Sequence, residues 1–521
     1  MPASSAPAPT RPEQVAARRL DGLAAFLGTP LVPDAAGVMI TGITHASAEV
    51  RPGDVYAALP GRRTHGARYA QTAGRSGAVA LLTDDQGAHI GAEAGLPTLV
   101  AADPRALLGD AAAYVYGFPA ADLTLLGVTG TNGKTTVTSL LHAVLSATSG
   151  PAGLVGTIET RVGELAMPSV RTTPEACDLH GLLAAMRERG VTTCAIEVSS
   201  HALALGRVGG LVVDVAGFTN LSQDHLDFHT DMEDYFAAKA ALFTPRHARR
   251  GVVMVDDRWG RRLLDEAGIP VVTVAAVPDD PRHRHVRAAD WRLSDITSHP
   301  EGGRAVLSGP DGERLDLRVP LPGLVNVANA ALTVALAVEA GVEAHGAVEA
   351  LARAPMVPGR MELVSGSSRP AVVVDYAHSP DALERALHAL RSGATAPLVV
   401  VVGAGGDRDT SKRGPMGEVA ARGADLVIVT DDNPRSEDPA AIRAAVLAGA
   451  RRVDPDRVRE VADRGSAIRA AIEAAGTGTV LVAGKGHEQG QEVAGTIHPF
   501  DDRAAARAAL AEGTSRAGTG T

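Results

Sequence analysis

Gly127-Val-Thr-Gly130-Thr-Asn-Gly133-Lys134-Thr135-Thr136 is the stretch that decides the fold of this chain. It follows an apolar run, Leu123 to Val128, that predicts a strand, and it opens a segment whose apolar residues recur at helical spacing. A glycine-rich turn between a strand and a helix is typical of a phosphate-binding loop (P-loop), because its backbone N–H groups converge on phosphate oxygens. Lys134 supplies a mobile charge for the outer phosphates, and the Thr135 hydroxyl can bind Mg²⁺. The alternative is a glycine-rich turn without a ligand.

On both sides of this loop, short β-branched runs alternate with alanine-rich amphipathic stretches. This alternation predicts an α/β protein with parallel sheets and helices on both faces. A length of 521 residues is enough for about three or four domains. Breaks rich in glycine and proline occur at 117–119 and 355–359. We therefore expect three domains, at residues 15–118, 119–357 and 358–512.

Composition narrows the classes of partner. Fifty Lys+Arg face sixty Asp+Glu, a net charge of −10, so no basic excess exists to bind a nucleic acid or an anionic membrane. No apolar run approaches the roughly 20 residues that span a bilayer, and the amino end lacks the apolar core of a secretory signal. Two cysteines are too few for a disulfide framework. We expect a cytoplasmic protein that binds small molecules.

Lysine is scarce in this chain, with four lysines against 46 arginines. A lysine that persists under such a bias points to a need for a compact charge or a deprotonatable amine, which a guanidinium cannot provide. Chance is the alternative, since a few lysines must fall somewhere. Each of the four, however, lies inside or beside a candidate site: Lys134, Lys239, Lys412 and Lys485.

Polar residues follow two further strands predicted in the central segment, and ligands of open α/β sheets bind beyond the carboxyl ends of strands. Glu197 ends the predicted strand Cys194 to Val198 and is a candidate second ligand for an Mg²⁺ held by Thr135. The alternative is an acid that caps the following turn.

The second strand, Val212 to Phe218, precedes a loop that contains His225, and a predicted helix, Met232 to Phe243, carries Lys239. A lone loop histidine is most often structural, and Lys239 paired on the surface with Asp234 or Glu233 is the ordinary alternative.

In the last segment, three strands end in polar motifs. These motifs are Gly403-Ala-Gly405-Gly406-Asp407-Arg408, Asp431-Asp432-Asn433-Pro434-Arg435 and Gly484-Lys485-Gly486-His487-Glu488. If the strands are neighbours, two arginines and an acid converge on one pocket. An arginine fork for a carboxylate and Glu488 for an ammonium would bind an amino-acid zwitterion. Taken singly, each motif could be a solvated turn.

Four motifs in combination resemble those of the Mur ligase family. They are Gly130-Thr-Asn-Gly-Lys-Thr-Thr136, Glu197-Val-Ser-Ser-His201, Asp432-Asn-Pro-Arg435 and Gly484-Lys-Gly-His-Glu488. The Asp-Asn-Pro-Arg motif is similar to that of its diaminopimelate-adding (MurE) type. The resemblance runs from about Thr41 to Arg503. It implies a uridine-nucleotide domain, a central P-loop ATPase with a parallel sheet, and a Rossmann-like C-terminal domain. It also implies ATP-dependent addition of diaminopimelate to the D-glutamyl γ-carboxylate of UDP-N-acetylmuramoyl-L-alanyl-D-glutamate, through an acyl phosphate, in peptidoglycan synthesis.

The same resemblance implies roles for individual residues, which we list by ligand. ATP would be bound by Gly130, Thr131, Asn132, Gly133, Lys134, Thr135, Thr136, Asn326, Arg360 and Asp375. The UDP-linked substrate would be bound by Ser47, Thr172, Thr173, Ser199 and Arg207. Diaminopimelate would be bound by Arg408, Asp432, Asn433, Pro434, Arg435, Gly484 and Glu488. Magnesium would be bound by Thr135, Glu197, His225 and a CO₂-derived carbamate on Lys239, and the catalytic set would be Lys134, Glu197, His225 and Lys239.

Other readings stay open at this stage. A lysine-adding Mur ligase or a folylpolyglutamate synthase shares the P-loop, although the motif from Asp432 to Arg435 argues against both. A nucleotide-binding regulatory protein without turnover would need neither Lys239 nor the C-terminal pocket. We expect a monomer that binds neither nucleic acid nor membrane.

Overall fold

The computed structural model describes residues 10–32, 35, 37–61, 63–276, 288–299, 302–365, 370–391 and 395–517. These residues form three large sheets, which helices cover, and two small two-stranded sheets. The predicted α/β class is therefore confirmed. Within the described ranges, no helix combines the length and the apolar character needed to cross a bilayer.

The amino-terminal sheet has five strands, parallel except at one edge. In spatial order they are Leu31–Val32, Thr98–Val100, Ala80–Thr83, Asp54–Ala57 and Gly42–Thr44. The α-helices of this region are Leu20–Leu27, Ala70–Arg75, Asp85–Gly91 and Pro104–Val115. A small two-stranded sheet pairs Arg18–Arg19 with Met39–Ile40.

The central sheet has eleven strands. In spatial order they are Leu165–Pro168, Glu159–Val162, Ala152–Val155, Thr193–Glu197, Thr124–Thr129, Val213–Phe218, Ala248–Met254, Val271–Ala275, Trp291–His299, Gly302–Ser308 and Arg314–Val319. The seven strands from Ala152–Val155 to Trp291–His299 are parallel, and antiparallel strands extend both edges. The parallel core was predicted, whereas the antiparallel edges were not. The α-helices are Lys134–Thr148, Ala176–Glu188, Ser200–Ala204, Met232–Ala240, Arg258–Glu266, Leu324–Glu339 and Ala344–Ala352.

The P-loop strand, Thr124–Thr129, lies between the strands Thr193–Glu197 and Val213–Phe218. Its side chains alternate between two cores, because successive residues of a strand point to opposite faces. Leu126 and Val128 pack in one core with the P-loop helix, and Leu125 packs in the other. Both faces are therefore covered, and chemistry on this sheet must lie at its edge, where the strands end.

The carboxy-terminal sheet has six strands, parallel except for the first. In spatial order they are Glu362–Leu363, Ala371–Asp375, Thr479–Ala483, Leu398–Val402, Leu426–Val429 and Val458–Glu460. Its α-helices are Pro380–Arg391, Arg413–Gly423, Pro439–Val453, Arg464–Ala475 and Asp502–Ala517, and a hairpin pairs Gly490–Val493 with Thr496–Pro499. The three strands with polar carboxyl ends are adjacent, which brings their motifs to one edge. The proposed domain boundaries, 118/119 and 357/358, fall between the sheets.

Candidate active site

The P-loop follows its strand directly and continues into the helix Lys134–Thr148. Gly130 and Gly133 have φ angles of 142° and 93°, which an L side chain rarely adopts. A Cβ atom at Gly130 would lie 1.8 Å from Thr219 Oγ1. Thr219 Oγ1 itself donates to the carbonyl of Asn132 at 2.6 Å. The loop is thus held against the neighbouring strand end, a contact that the sequence did not predict.

Two lysines contact the same carbonyl oxygen of this loop. Lys134 Nζ donates to Gly130 O at 2.9 Å, and Lys239 Nζ donates to it at 2.7 Å. Lys239 is 1% exposed, and its Nζ lies 4.6 Å from the centre of the Tyr235 ring. Burial, reinforced by the charge of Lys134, lowers the pKa of Lys239 well below its usual value. The alternative of a surface lysine is wrong, because Asp234 pairs with His229 and Glu233 with Arg262.

Glu197 is fully buried at the end of its strand and is the acceptor at the centre of a hydroxyl network. Thr135 Oγ1 donates to Glu197 Oε2 at 3.1 Å. Thr157 donates from its hydroxyl to Oε2 at 2.9 Å and from its backbone N–H to Oε1 at 2.7 Å. The two expected ligands, Thr135 and Glu197, are therefore in direct contact. Hydroxyl and carboxylate oxygens are the donors that Mg²⁺ prefers, so this set fits the ion.

His225 lies in the loop after the strand Val213–Phe218 and has a φ of 55°. Its ring lies nearly perpendicular to that of His201, with centroids 4.9 Å apart. Burial, opposed by the neighbouring carboxylate of Asp224, lowers the pKa of His225 to about 4. The imidazole is therefore neutral near pH 7, which is the form that binds metal ions.

The other residues expected at ATP approach the P-loop from different elements. Asn326 is buried near the start of the helix Leu324–Glu339, and its Oδ1 accepts from Asn329 Nδ2 at 3.3 Å. Arg360 Nη2 donates to Thr135 Oγ1 at 3.0 Å, from the carboxy-terminal segment. Asp375 Oδ2 accepts from the backbone N–H of Met361 at 2.7 Å, and burial, opposed by Arg360, raises the pKa of this carboxyl.

A cavity of about 570 Å³ joins these residues to most of the expected UDP-substrate set. Of the expected residues, the following line it: Thr131, Asn132, Gly133, Lys134, Thr135, Thr136, Thr172, Thr173, Glu197, Ser199, Arg207, His225, Asn326, Arg360, Asp375 and Arg408. Ser199 caps the helix Ser200–Ala204, and Thr173 Oγ1 donates to Glu197 O at 2.7 Å. Ser47 does not line this cavity. It lies in the amino-terminal segment, in the short 3-10 helix Ser47–Glu49.

A second cavity, of about 780 Å³, is lined by the expected diaminopimelate residues, with the exception of Pro434. Arg435 adopts a φ of 54° and donates from Nη1 to Gly406 O at 2.6 Å. Asp432 and Asn433 are buried in its wall, and Glu488 is partly exposed. His225 and Arg408 line both cavities. The two cavities therefore meet at these side chains.

The carboxy-terminal segment also contacts the P-loop directly. Asp381, at the start of the helix Pro380–Arg391, accepts from Asn132 Nδ2 at 3.2 Å and from Ser222 Oγ at 2.9 Å. The sequence analysis missed Asp381 and Thr157, because neither stands in a recognisable motif. It assigned no role to Asn329, which ends the same short motif as Asn326. The cation–ring contact of Arg360 with Tyr376, at 4.5 Å, completes this side of the site.

Three family descriptions match consecutive parts of the chain. Residues 39–116 match the Mur ligase family catalytic domain, residues 128–337 the Mur ligase middle domain, and residues 359–486 the Mur ligase glutamate ligase domain. Together they cover most of the sequence, and each lies within one of the three segments that carry a sheet.

Whole-length comparisons give the same family. The chain is 50% identical, over 97% of its length and 98% of the relative, to a UDP-N-acetylmuramoyl-L-alanyl-D-glutamate–2,6-diaminopimelate ligase of Streptomyces avermitilis. It is 51% identical over the same shares to the protein of that name in Streptomyces coelicolor. A solved structure of a protein with that name matches with a TM-score of 0.67 and 30% identity, covering 96% of this chain and all of the other.

Proposed function

The chain belongs to the Mur ligase family, and from this membership and its two joined cavities we infer an ATP-dependent ligase that acts on a UDP-linked peptide. It adds diaminopimelate to UDP-N-acetylmuramoyl-L-alanyl-D-glutamate, a step of peptidoglycan precursor synthesis. The function predicted from the sequence is thereby confirmed, because the relatives are named for this reaction. The assignment of individual residues to each ligand is our proposal.

The observation that carries this proposal is the junction of the two cavities at His225 and Arg408. The P-loop lies in one cavity and the Asp432–Arg435 motif in the other. A nucleotide-binding regulatory protein has no need of a second polar pocket that opens onto its P-loop. A ligase needs both, because the phosphorylated carboxylate and the incoming amine must meet.

The reaction has two steps. An oxygen of the D-glutamyl γ-carboxylate attacks the γ-phosphorus of ATP, and ADP leaves, which gives an acyl phosphate. The neutral amine of diaminopimelate then attacks the acyl carbon, the C–O bond to phosphate breaks, and the amine releases a proton as the amide forms. No covalent enzyme intermediate is required, so a nucleophilic side chain is not needed.

The residues at the P-loop contribute charge and position. Lys134 provides a positive charge for the outer phosphates, and the loop N–H groups bind the phosphate oxygens. Thr135 and Glu197 would hold Mg²⁺, which their oxygen donors and mutual contact support. When bound, the ion would offset negative charge on the phosphate oxygens. Asp381 contacts Asn132 of the P-loop. Closure of the carboxy-terminal segment would therefore order the P-loop through this contact.

We propose that Lys239 is carbamylated by CO₂. A bond would form between Nζ and the carbon of CO₂ with loss of one proton, so the neutral amine is required. Burial of Lys239 beside Lys134 favours that form, since two ammonium groups on one carbonyl repel each other. The resulting anion, together with His225, would support a second Mg²⁺.

In the amino-acid pocket, Arg435 would bind the distal carboxylate of diaminopimelate, which lysine lacks. Arg435 is partly buried, and its Nε lies 3.6 Å from Glu492 Oε2. The distal carboxylate would add a stronger ion pair to this guanidinium, an interaction that lysine cannot supply, so this arginine would select against lysine. A folylpolyglutamate synthase or a lysine-adding ligase would not need an arginine there. A cytoplasmic location also remains part of the proposal, because both cysteines are free and buried, as suits a reducing compartment. A monomeric state remains part of it too.

Release of phosphate tests the proposal. Purified protein is incubated with ATP and Mg²⁺, with and without UDP-N-acetylmuramoyl-L-alanyl-D-glutamate, and with and without diaminopimelate. We expect sustained phosphate release when both substrates are present, and little when either is absent. Release that is independent of diaminopimelate would contradict a ligase, and an absence of release under all conditions would favour the regulatory alternative.

A further inference from the structure

Lys485 is a fully buried cation behind the wall of the amino-acid pocket, at 0% exposure. It follows the strand Thr479–Ala483 and lies between Gly484 and Gly486. Its Nζ donates to Asn433 Oδ1 at 3.0 Å and to Glu488 Oε2 at 3.1 Å, and it lies 4.0 Å from Asp432 Oδ1. One ammonium group therefore joins three side chains that line the pocket.

These hydrogen bonds fix the orientation of the Asn433 amide. Its Oδ1 accepts from Lys485 Nζ and from the backbone N–H of Glu492 at 3.1 Å, so the amide oxygen must face these donors. Its Nδ2 consequently points to Glu488, whose Oε2 accepts at 2.8 Å. A flipped amide would bring two donors together, and would also leave Glu488 without this partner.

The same network leaves one oxygen of Glu488 available. Asn433 Nδ2 and Lys485 Nζ both donate to Oε2. Among the residues that the structure describes, no hydrogen bond to Oε1 occurs, and Glu488 lines the second cavity. A carboxylate held at one oxygen presents the other in a fixed direction, where it can accept from a ligand ammonium.

The backbone around Lys485 explains the Gly-Lys-Gly pattern. Gly484 has a φ of 119°, and a Cβ there would lie 2.4 Å from Asp432 Oδ2. Gly486 has a φ of 54°, and a Cβ there would lie 2.6 Å from Gly359 O. The turn is therefore tightly packed on both sides of the lysine. A planar guanidinium is larger than an ammonium, and its five N–H groups need more acceptors than this enclosed position offers.

We propose that Lys485 is a positioning residue for the incoming amino acid, acting through Asn433 and Glu488 rather than by contact with the substrate. The proposal rests on the proposed function, since it takes the second cavity as the diaminopimelate site. It assigns a role to one of the four lysines that persist in an arginine-rich chain. It also predicts that Lys485 and Glu488 are coupled in diaminopimelate binding and not in ATP binding.

The test is a double-mutant cycle with Lys485→Met and Glu488→Gln. Methionine is one atom shorter than lysine, keeps an unbranched side chain and removes the charge. We expect Lys485→Met to raise the KM for diaminopimelate at least about tenfold and to leave the KM for ATP within about twofold. In the Glu488→Gln background the same change should have a much smaller effect, because the carboxylate that Lys485 positions is gone. Arg459→Met, an exposed charge removal in the same sheet, is the matched control.

Every result of this cycle either supports the role of Lys485 or contradicts it. If Lys485→Met raises both KM values equally, or if its effect on the KM for diaminopimelate persists in full beside Glu488→Gln, Lys485 is structural and the proposal is wrong. An unchanged KM for diaminopimelate contradicts it as well. Lys485→Gln, which is polar and uncharged, repeats the test if the methionine variant does not fold. Wild-type protein that does not use diaminopimelate would instead refute the proposed function, and these failures are thus distinguishable.

Discussion

Lys134 and Lys239 donate hydrogen bonds to one carbonyl oxygen, that of Gly130, at 2.9 and 2.7 Å. One lysine belongs to the P-loop, and the other comes from the helix Met232–Ala240 more than a hundred residues later. Two ammonium groups this close repel each other, so the arrangement favours loss of charge at the more buried one. The loss of charge matters for the proposed carbamylation of Lys239, because a neutral amine can react with CO₂ and an ammonium cannot.

Replacement of Lys239 by arginine should abolish carbamylation, since a guanidinium stays protonated. We expect ¹³C-labelled CO₂ to give a carbamate signal in the nuclear magnetic resonance spectrum of the wild type and none in Lys239→Arg. We also expect activity to fall on the order of 100-fold or more. Glu233→Gln, an exposed change on the same helix, serves as control. A carbamate signal of equal intensity in Lys239→Arg would place the modification elsewhere.

Thr157→Val removes a hydroxyl that donates to Glu197 Oε2 and keeps the volume of the side chain. The carboxylate then loses part of its orientation, so we expect the Mg²⁺ concentration for half-maximal activity to rise several-fold. The free energy of unfolding should fall by about 1 kcal/mol. Thr192→Val, near the surface, should change neither quantity. An unaltered Mg²⁺ dependence would show that Thr157 does not act on the proposed metal ligands.

Selection against lysine depends on Arg435 in our account. The ratio of kcat/KM for diaminopimelate to that for lysine should exceed about 100 in the wild type. In Arg435→Ala the ratio should fall towards unity, chiefly through weaker use of diaminopimelate. Arg422→Ala, an exposed change in the same segment, should keep the wild-type ratio. An Arg435→Ala enzyme that retains its preference would contradict the assignment.

Arg464 and Asp502 form an ion pair with both side chains fully buried, at 2.7 Å. Arg464 also donates to Ala483 O at 2.9 Å, at the end of the strand that precedes Gly484. Removing one charge leaves the other buried and unpaired, so Asp502→Asn should lower the free energy of unfolding by about 3–5 kcal/mol. The double variant with Arg464→Met and Asp502→Leu should lose clearly less of the free energy of unfolding. Urea denaturation of the wild type, the single variant and the double variant measures these changes in the free energy of unfolding. Equal losses in the two variants would refute the argument.

The sequence predicted those parts of the site that stand at the carboxyl ends of parallel strands. Glu197 and the 403–408, 431–435 and 484–488 motifs were found in this way, because strand ends that share an edge must bring their following residues together. The scarcity of lysine then separated Lys239 and Lys485 from ordinary surface charges. Both are buried, which a single loop or helix position does not reveal.

Other features depend on contacts between distant segments and could not be predicted. Thr157 follows the strand Ala152–Val155 and stands in no motif. It reaches Glu197 because that strand pairs with the strand Thr193–Glu197. Asp381 reaches the P-loop from the helix Pro380–Arg391 of the carboxy-terminal segment, 249 residues along the chain from Asn132. The antiparallel strands at the edges of the central sheet could not be assigned partners from the sequence. Arg314–Val319, for example, alternates exposed and buried residues as any strand with one solvent-exposed face does.

The central claim is that the D-glutamyl γ-carboxylate is phosphorylated and then captured by the amine. It is tested most directly with substrate carrying ¹⁸O at both oxygens of that carboxylate. Our account predicts one ¹⁸O atom in each phosphate released, together with one amide product of diaminopimelate per ADP, both measured by mass spectrometry. Phosphate that carries no label, with product still formed, would contradict the acyl phosphate and with it the mechanism proposed here.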